Sequence, residues 1–121
     1  MLPTIVDGSN MAQREPLDLL PGTLDLLVLR VLEAGPLHGY GIAQRVKERS
    51  KDVLQVGESS LYPALQRLLL NGDLEAEWGA SENNRRARYY CLTAAGRTRL
   101  GAERETFDRM VVAIQRVLRT A

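Results

Sequence analysis

At Asn71-Gly72 the spacing of apolar residues switches from that of a helix to that of a strand, with only a tight turn between the two. Upstream, Leu61, Leu65, Leu68 and Leu69 recur at i, i+4, i+7 and i+8, which lays one core stripe along a helix. Downstream, Leu74, Ala76 and Trp78 alternate with Glu75 and Glu77, the pattern of a half-buried strand. A second strand-forming run, Arg88 to Leu92, follows a polar stretch from Gly79 to Arg86. The chain is therefore expected to place a short helix directly before a β-hairpin with a polar, basic-ended loop. Ser59 or Ser60 can cap that helix, and Pro63 then falls in its first turn or just beyond, where a missing N–H costs least.

Two further helices precede it. Thr23 is a plausible cap with Asp25 in the first turn, Leu24 to Glu33 is apolar enough to be mostly buried, and Gly35-Pro36 stops it. His38-Gly39-Tyr40-Gly41 opens the second, with Ile42, Ala43 and Val46 facing the core. Val53, Leu54 and Val56 suggest a short edge strand or extended connector that closes a small sheet. After the hairpin, Thr93 caps a last helix entered by Ala94-Ala95-Gly96, in which Leu100, Phe107, Met110, Ile114 and Val117 fall on a and d positions of a heptad, interrupted at Glu103. This order predicts a mainly α chain with a small β-hairpin, a winged helix-turn-helix plus a C-terminal dimerisation helix. Residues 1–18 read as a loose lead, 19–95 as the winged unit and 96–121 as the dimerising helix.

Composition narrows the function classes. The 121 residues suffice for one domain with an appendage, and 45% hydrophobic with 26% charged residues is ordinary globular composition. The formal charge is only +1, so any nucleic-acid role has to rest on local clusters of basic residues. One cysteine, Cys91, fits a reducing compartment, and no run of about 18 apolar residues or signal-peptide pattern is present, so a cytoplasmic protein without membrane partners is expected. A single His and a single Cys with scattered carboxylates form no recognisable catalytic or metal-binding spacing, so neither enzymatic activity nor a cofactor is expected.

The third helix of a winged unit enters the major groove, which makes Ser59, Ser60, Tyr62, Gln66 and Arg67 candidate DNA contacts. Their bland alternative is a solvated helix face, and Tyr62, flanking the core stripe, could simply pack. Arg85, Arg86 and Arg88 concentrate positive charge near the hairpin tip and could reach phosphates or a minor groove; the alternatives are a solubilising turn and a cross-strand pair of Arg88 with Glu75 or Glu77. Tyr40 and Gln44 begin the helix that crosses the backbone in such units and are candidate phosphate contacts. His38 reads as a turn or capping residue, and Cys91 as a small buried or interfacial one. The stripe of Leu100, Phe107, Met110, Ile114 and Val117 could pack on its own domain or bury itself against a second copy in a two-fold dimer. A winged unit that binds protein rather than DNA remains the competing function, with Leu70 its one apolar hint.

Four blocks carry a family resemblance: Leu24-Asp25-Leu26-Leu27, Gly35-Pro36-Leu37-His38-Gly39-Tyr40-Gly41-Ile42, Ser60-Leu61-Tyr62-Pro63-Ala64-Leu65-Gln66-Arg67-Leu68, and Tyr89-Tyr90-Cys91-Leu92-Thr93-Ala94-Ala95-Gly96-Arg97. In this order, from about Leu19 to about Leu100, the chain resembles the PadR family of bacterial transcriptional regulators, in its short form with one C-terminal helix. The resemblance implies a homodimeric repressor on an inverted-repeat operator in double-stranded DNA, often released by a small-molecule effector. Two positions depart from the pattern: Ser59 stands where close members carry Gly, and Leu70 where they carry an acidic residue.

Overall fold

A computed structural model describes residues 17–19 and 22–121. The expected lead over residues 1–16 lies outside the described residues. In chain order the elements are β1 (Leu17–Asp18), α1 (Leu24–Val31) running into a 3-10 turn (Leu32–Ala34), β2 (Leu37–His38), α2 (Gly39–Arg49), β3 (Leu54–Gln55), α3 (Glu58–Leu70), β4 (Leu74–Ala80), β5 (Arg86–Leu92) and α4 (Ala94–Arg119).

The core is aliphatic and centred on α1. Leu24, Leu26, Val28, Leu29, Val31 and Leu32 are all buried, as the near-absence of polar residues in that helix requires. Ile42 and Val46 of α2 and Leu61, Ala64, Leu65 and Leu68 of α3 pack onto it, with Leu74, Tyr90 and Leu100 closing the cluster. Each fully buried leucine contributes about 1.5–3 kcal/mol over an exposed one, so this cluster fixes how α3 is held. Gly35 ends the first helical segment at φ 146°, a conformation that a side chain would strain. His38 starts α2 by accepting the Gly41 N–H on its Nδ1 at 3.0 Å, the capping role expected of it.

Three expectations need correction. The strand that completes the wing sheet is Leu37–His38, paired antiparallel with Tyr89 and Tyr90, rather than the Val53–Val56 patch. Leu54–Gln55 instead pairs in parallel with Leu17–Asp18, so the last residues of the supposed lead are held by the fold. Two-residue strands carry no readable period, and partner choice was left to tertiary contacts. Second, α3 begins at Glu58 with Gly57 as its cap residue, which puts both serines inside the first turn instead of at the cap. Pro63 therefore sits in the second turn and has no N–H to give the Ser59 carbonyl.

Third, the hairpin is longer than its polarity suggested. Register runs from Leu74 opposite Leu92 to Ala80 opposite Arg86, leaving only a short loop. There Ser81 N–H donates to the Arg85 carbonyl at 2.7 Å and Asn84 N–H to the Ser81 carbonyl at 2.8 Å, with Asn84 at φ 59°. A turn followed by a left-handed residue matches the twist of the strands. Polar residues can extend these strands because the distal hairpin stands clear of the core and its side chains remain in water.

The last helix is anchored at its start. Thr93 caps it, its Oγ1 accepting the Gly96 N–H at 3.0 Å and donating to the Gly72 carbonyl at 2.7 Å. Leu100, expected on the dimerising stripe, is 5% exposed and belongs to the core of the winged unit. Beyond it α4 leaves the domain, and Phe107, Met110, Ile114 and Val117 are exposed.

Candidate nucleic-acid interface

The leucine stripe of α3 turns the other face outward. Ser59, Ser60, Pro63, Gln66 and Arg67 are all exposed, and Ser59, Pro63 and Gln66 follow one another at helical spacing on that face. Arg67 is engaged already: its guanidinium makes a 2.7 Å ion pair with Asp25 at the start of α1. A pair this exposed is worth about 0–1 kcal/mol, so a DNA phosphate or base could displace it.

Tyr62 is 49% exposed and lies across the entry of α2. A Cβ on Gly39 would stand 3.1 Å from its hydroxyl, so the ring packs closely over that glycine. Tyr62 thus both packs and remains accessible, with exposed Tyr40 and half-buried Gln44 beside it in one shallow cleft. Ser59, Ser60 and Arg67 line a separate hollow on the far side of α3.

The wing carries its charge from its tip into the adjoining strand. Arg86 and Arg88 lie two residues apart in β5 and share one face of the sheet, while Arg85 alone ends the loop. Arg88 stands directly opposite Trp78, and Glu75 and Glu77 stand opposite Cys91 and Tyr89 on the other face, so the considered ion pair with those glutamates does not form. Among the described residues the ion pairs are Arg30 with Glu33, Arg45 with Glu48, Arg67 with Asp25, and Arg99 with Asp73 and Glu103. None of the three wing arginines is in these pairs, and although Glu82 lines the same cleft as Arg86 and Arg88, three arginines against one glutamate leave a local excess of positive charge in a chain of net charge +1. Tyr40, Tyr62, Arg86 and Arg88 come together around a cleft of about 560 Å³ between α2, α3 and the wing.

A third helix with an exposed polar face, packed beside an arginine-bearing hairpin, has known counterparts. Residues 28–102 match the family described as the transcriptional regulator PadR-like family. The chain belongs to that family. PadR-like proteins are DNA-binding transcriptional regulators and not enzymes. A transcriptional regulator from Clostridium thermocellum is similar in structure, with TM-score 0.72 and 26% identity over 78% of this chain and 92% of its own. A PadR family transcription regulator from Clostridium difficile gives TM-score 0.69 and 27% identity over 80% and 99%. An uncharacterised protein of Lysinibacillus sphaericus is 31% identical over 83 residues, covering 69% of this chain and 76% of the relative.

For a PadR-like protein, two site features escaped the sequence pattern. Trp78, expected on the apolar face of a half-buried strand, is 58% exposed, with the Arg86 guanidinium 4.4 Å from its ring centroid. Asp25, expected as a first-turn helix residue, also ties α1 to α3 through Arg67. A ring contact and an ion pair spanning distant positions leave no local signature in a sequence. Cys91 is partly buried opposite Glu75, and Leu70 is exposed at the end of α3. No helix among the described residues is long and apolar enough to cross a membrane, and none of those residues form a metal-ligating group of His, Cys, Asp and Glu.

Proposed function

We propose that this PadR-like chain is a homodimeric, sequence-specific repressor that reads an inverted repeat and is released by a small-molecule effector. The observation that carries it is the exposed apolar stripe of α4. Phe107, Met110, Ile114 and Val117 follow a heptad on a helix that has already passed its own core at Leu100. A second copy of the same stripe is the simplest cover, and a two-fold axis there would present two α3 helices about 34 Å apart, one DNA turn. Residues 19–95 then serve as the DNA-binding unit and residues 96–121 as the dimerising arm.

In this reading Ser59, Ser60, Gln66 and Arg67 face the major groove, with Gln66 suited to adenine and Arg67 to guanine. Tyr40, Gln44 and Tyr62 approach the backbone at the start of α2, and Arg85, Arg86 and Arg88 supply the phosphate affinity that total charge does not. Occupying a promoter by this footprint excludes polymerase, hence repression. An effector seated between the two copies could respace the recognition helices without touching DNA.

Titration against duplex DNA from upstream of its own gene tests this, with sedimentation of the same sample. A shifted complex of one dimer per site, lost as salt rises, is expected. A folded dimer that gives no shift even at low salt would turn the assignment toward a protein partner.

A further inference from the structure

Trp78 is the one tryptophan in the chain and stands largely exposed in the middle of the wing. An aromatic side chain left this open forgoes much of the burial that usually justifies its position. Its surroundings supply another reason. Along one face of the hairpin Arg86, Trp78, Arg88 and Tyr90 follow in a ladder: Arg86 pairs with Ala80, Arg88 with Trp78, and Tyr90 with Ala76. The Arg86 guanidinium lies 4.4 Å from the indole centroid, and that of Arg88 lies 5.8 Å from the Tyr90 ring. Stacking occupies the flat side of a guanidinium and leaves its N–H edge free for an anion. Unstacked, a long arginine would sample many rotamers and give up about 2 kcal/mol of side-chain entropy on binding.

We infer that Trp78 is a positioning residue for DNA binding. Its indole holds Arg86 in one plane at the mouth of the cleft shared with Tyr40 and Tyr62, so that the guanidinium edge meets a phosphate already oriented. The affinity of the wing thus depends on an uncharged residue as well as on its arginines. The inference rests on the DNA-binding role of the wing proposed above.

Binding of duplex DNA from upstream of its own gene is measured across a salt series for the full chain, Trp78→Leu, Trp78→Phe, Arg86→Ala and the double variant Trp78→Leu/Arg86→Ala. A stack worth about 0.5–1 kcal/mol corresponds to a loss of about two- to fivefold for Trp78→Leu, since about 1.4 kcal/mol is tenfold. Because Arg86 keeps its charge, the salt slope of Trp78→Leu should match the parent, whereas Arg86→Ala should flatten it by about 0.9. Trp78→Phe should restore most of the affinity, and the double variant should bind no more weakly than Arg86→Ala alone. In free protein, acrylamide should quench the single tryptophan more readily in Arg86→Ala, because the ring face is uncovered; this reading needs no Trp78 variant to fold. Parental affinity in Trp78→Leu, additive losses in the double variant, or unchanged quenching would each overturn the positioning role. Failure of the parent chain to bind the duplex would instead remove the DNA-binding role on which it rests.

Discussion

Gly96 lies against the Asp73 carbonyl with room for a hydrogen and nothing larger: an added Cβ would stand 2.1 Å from that oxygen and 2.8 Å from Leu92 Cδ1. The turn between α3 and β4 thereby seats the first turn of α4, aided by the Thr93 N–H, which donates to the same carbonyl at 3.1 Å. The end of α3 and the start of α4 meet at this point. Gly96→Ala is expected to cost about 1–3 kcal/mol through forced backbone displacement. Gly101, further along the same helix with open space around it, should gain about 0.5–1 kcal/mol on the same change. Thermal melts of the two variants followed by circular dichroism should therefore move in opposite directions.

Leu100 and Ile114 occupy equivalent heptad positions yet have opposite surroundings, one buried in the winged unit and the other exposed. Leu100→Ala should lower stability by about 2–5 kcal/mol. Ile114→Asp should leave the winged unit folded and abolish the proposed dimer. Sedimentation velocity beside denaturant unfolding separates the two effects; a dimeric Ile114→Asp variant would show that α4 is covered some other way.

The Asp25 carboxylate holds Arg67 and adds negative charge beside the exposed face of α3. Asp25→Asn should change stability by less than about 1 kcal/mol, while freeing the guanidinium. Duplex binding is expected to tighten about two- to fivefold, in keeping with the small worth of an exposed pair. Weaker binding in a titration at fixed salt would mean that Asp25 orients Arg67 instead of competing for it.

Gln66 and Arg86 should fail differently. Arg86→Ala weakens binding to every sequence and lowers the salt slope, whereas Gln66→Ala should keep the slope and lose about 1–3 kcal/mol of discrimination at one base step. Competition binding with single-base operator variants resolves the two. A uniform loss from both changes would refute this division of labour.

Periodicity alone was enough to place the helices and to separate the scaffold face of α3 from its outward face. Leu61, Leu65 and Leu68 repeat at a spacing that only a helix packed on one side satisfies, and Gly35-Pro36 and Asn71-Gly72 mark ends that backbone sterics enforce locally. The four sequence blocks carried the family for the same reason: each is continuous in the chain. What depended on distant residues was not legible. Leu37–His38 closes the wing sheet because the turn after α1 delivers it to the edge of β5, and no two-residue strand announces its partner. Leu100 shares the heptad of Phe107 and Ile114, but packing against residues far back in the chain places it inside the winged unit. Arg67 finds Asp25, and Trp78 finds Arg86, through contacts across elements, which a linear pattern does not encode. Local spacing fixed the kinds of element and their order; packing between elements determined which exposed residues were left free to meet another molecule.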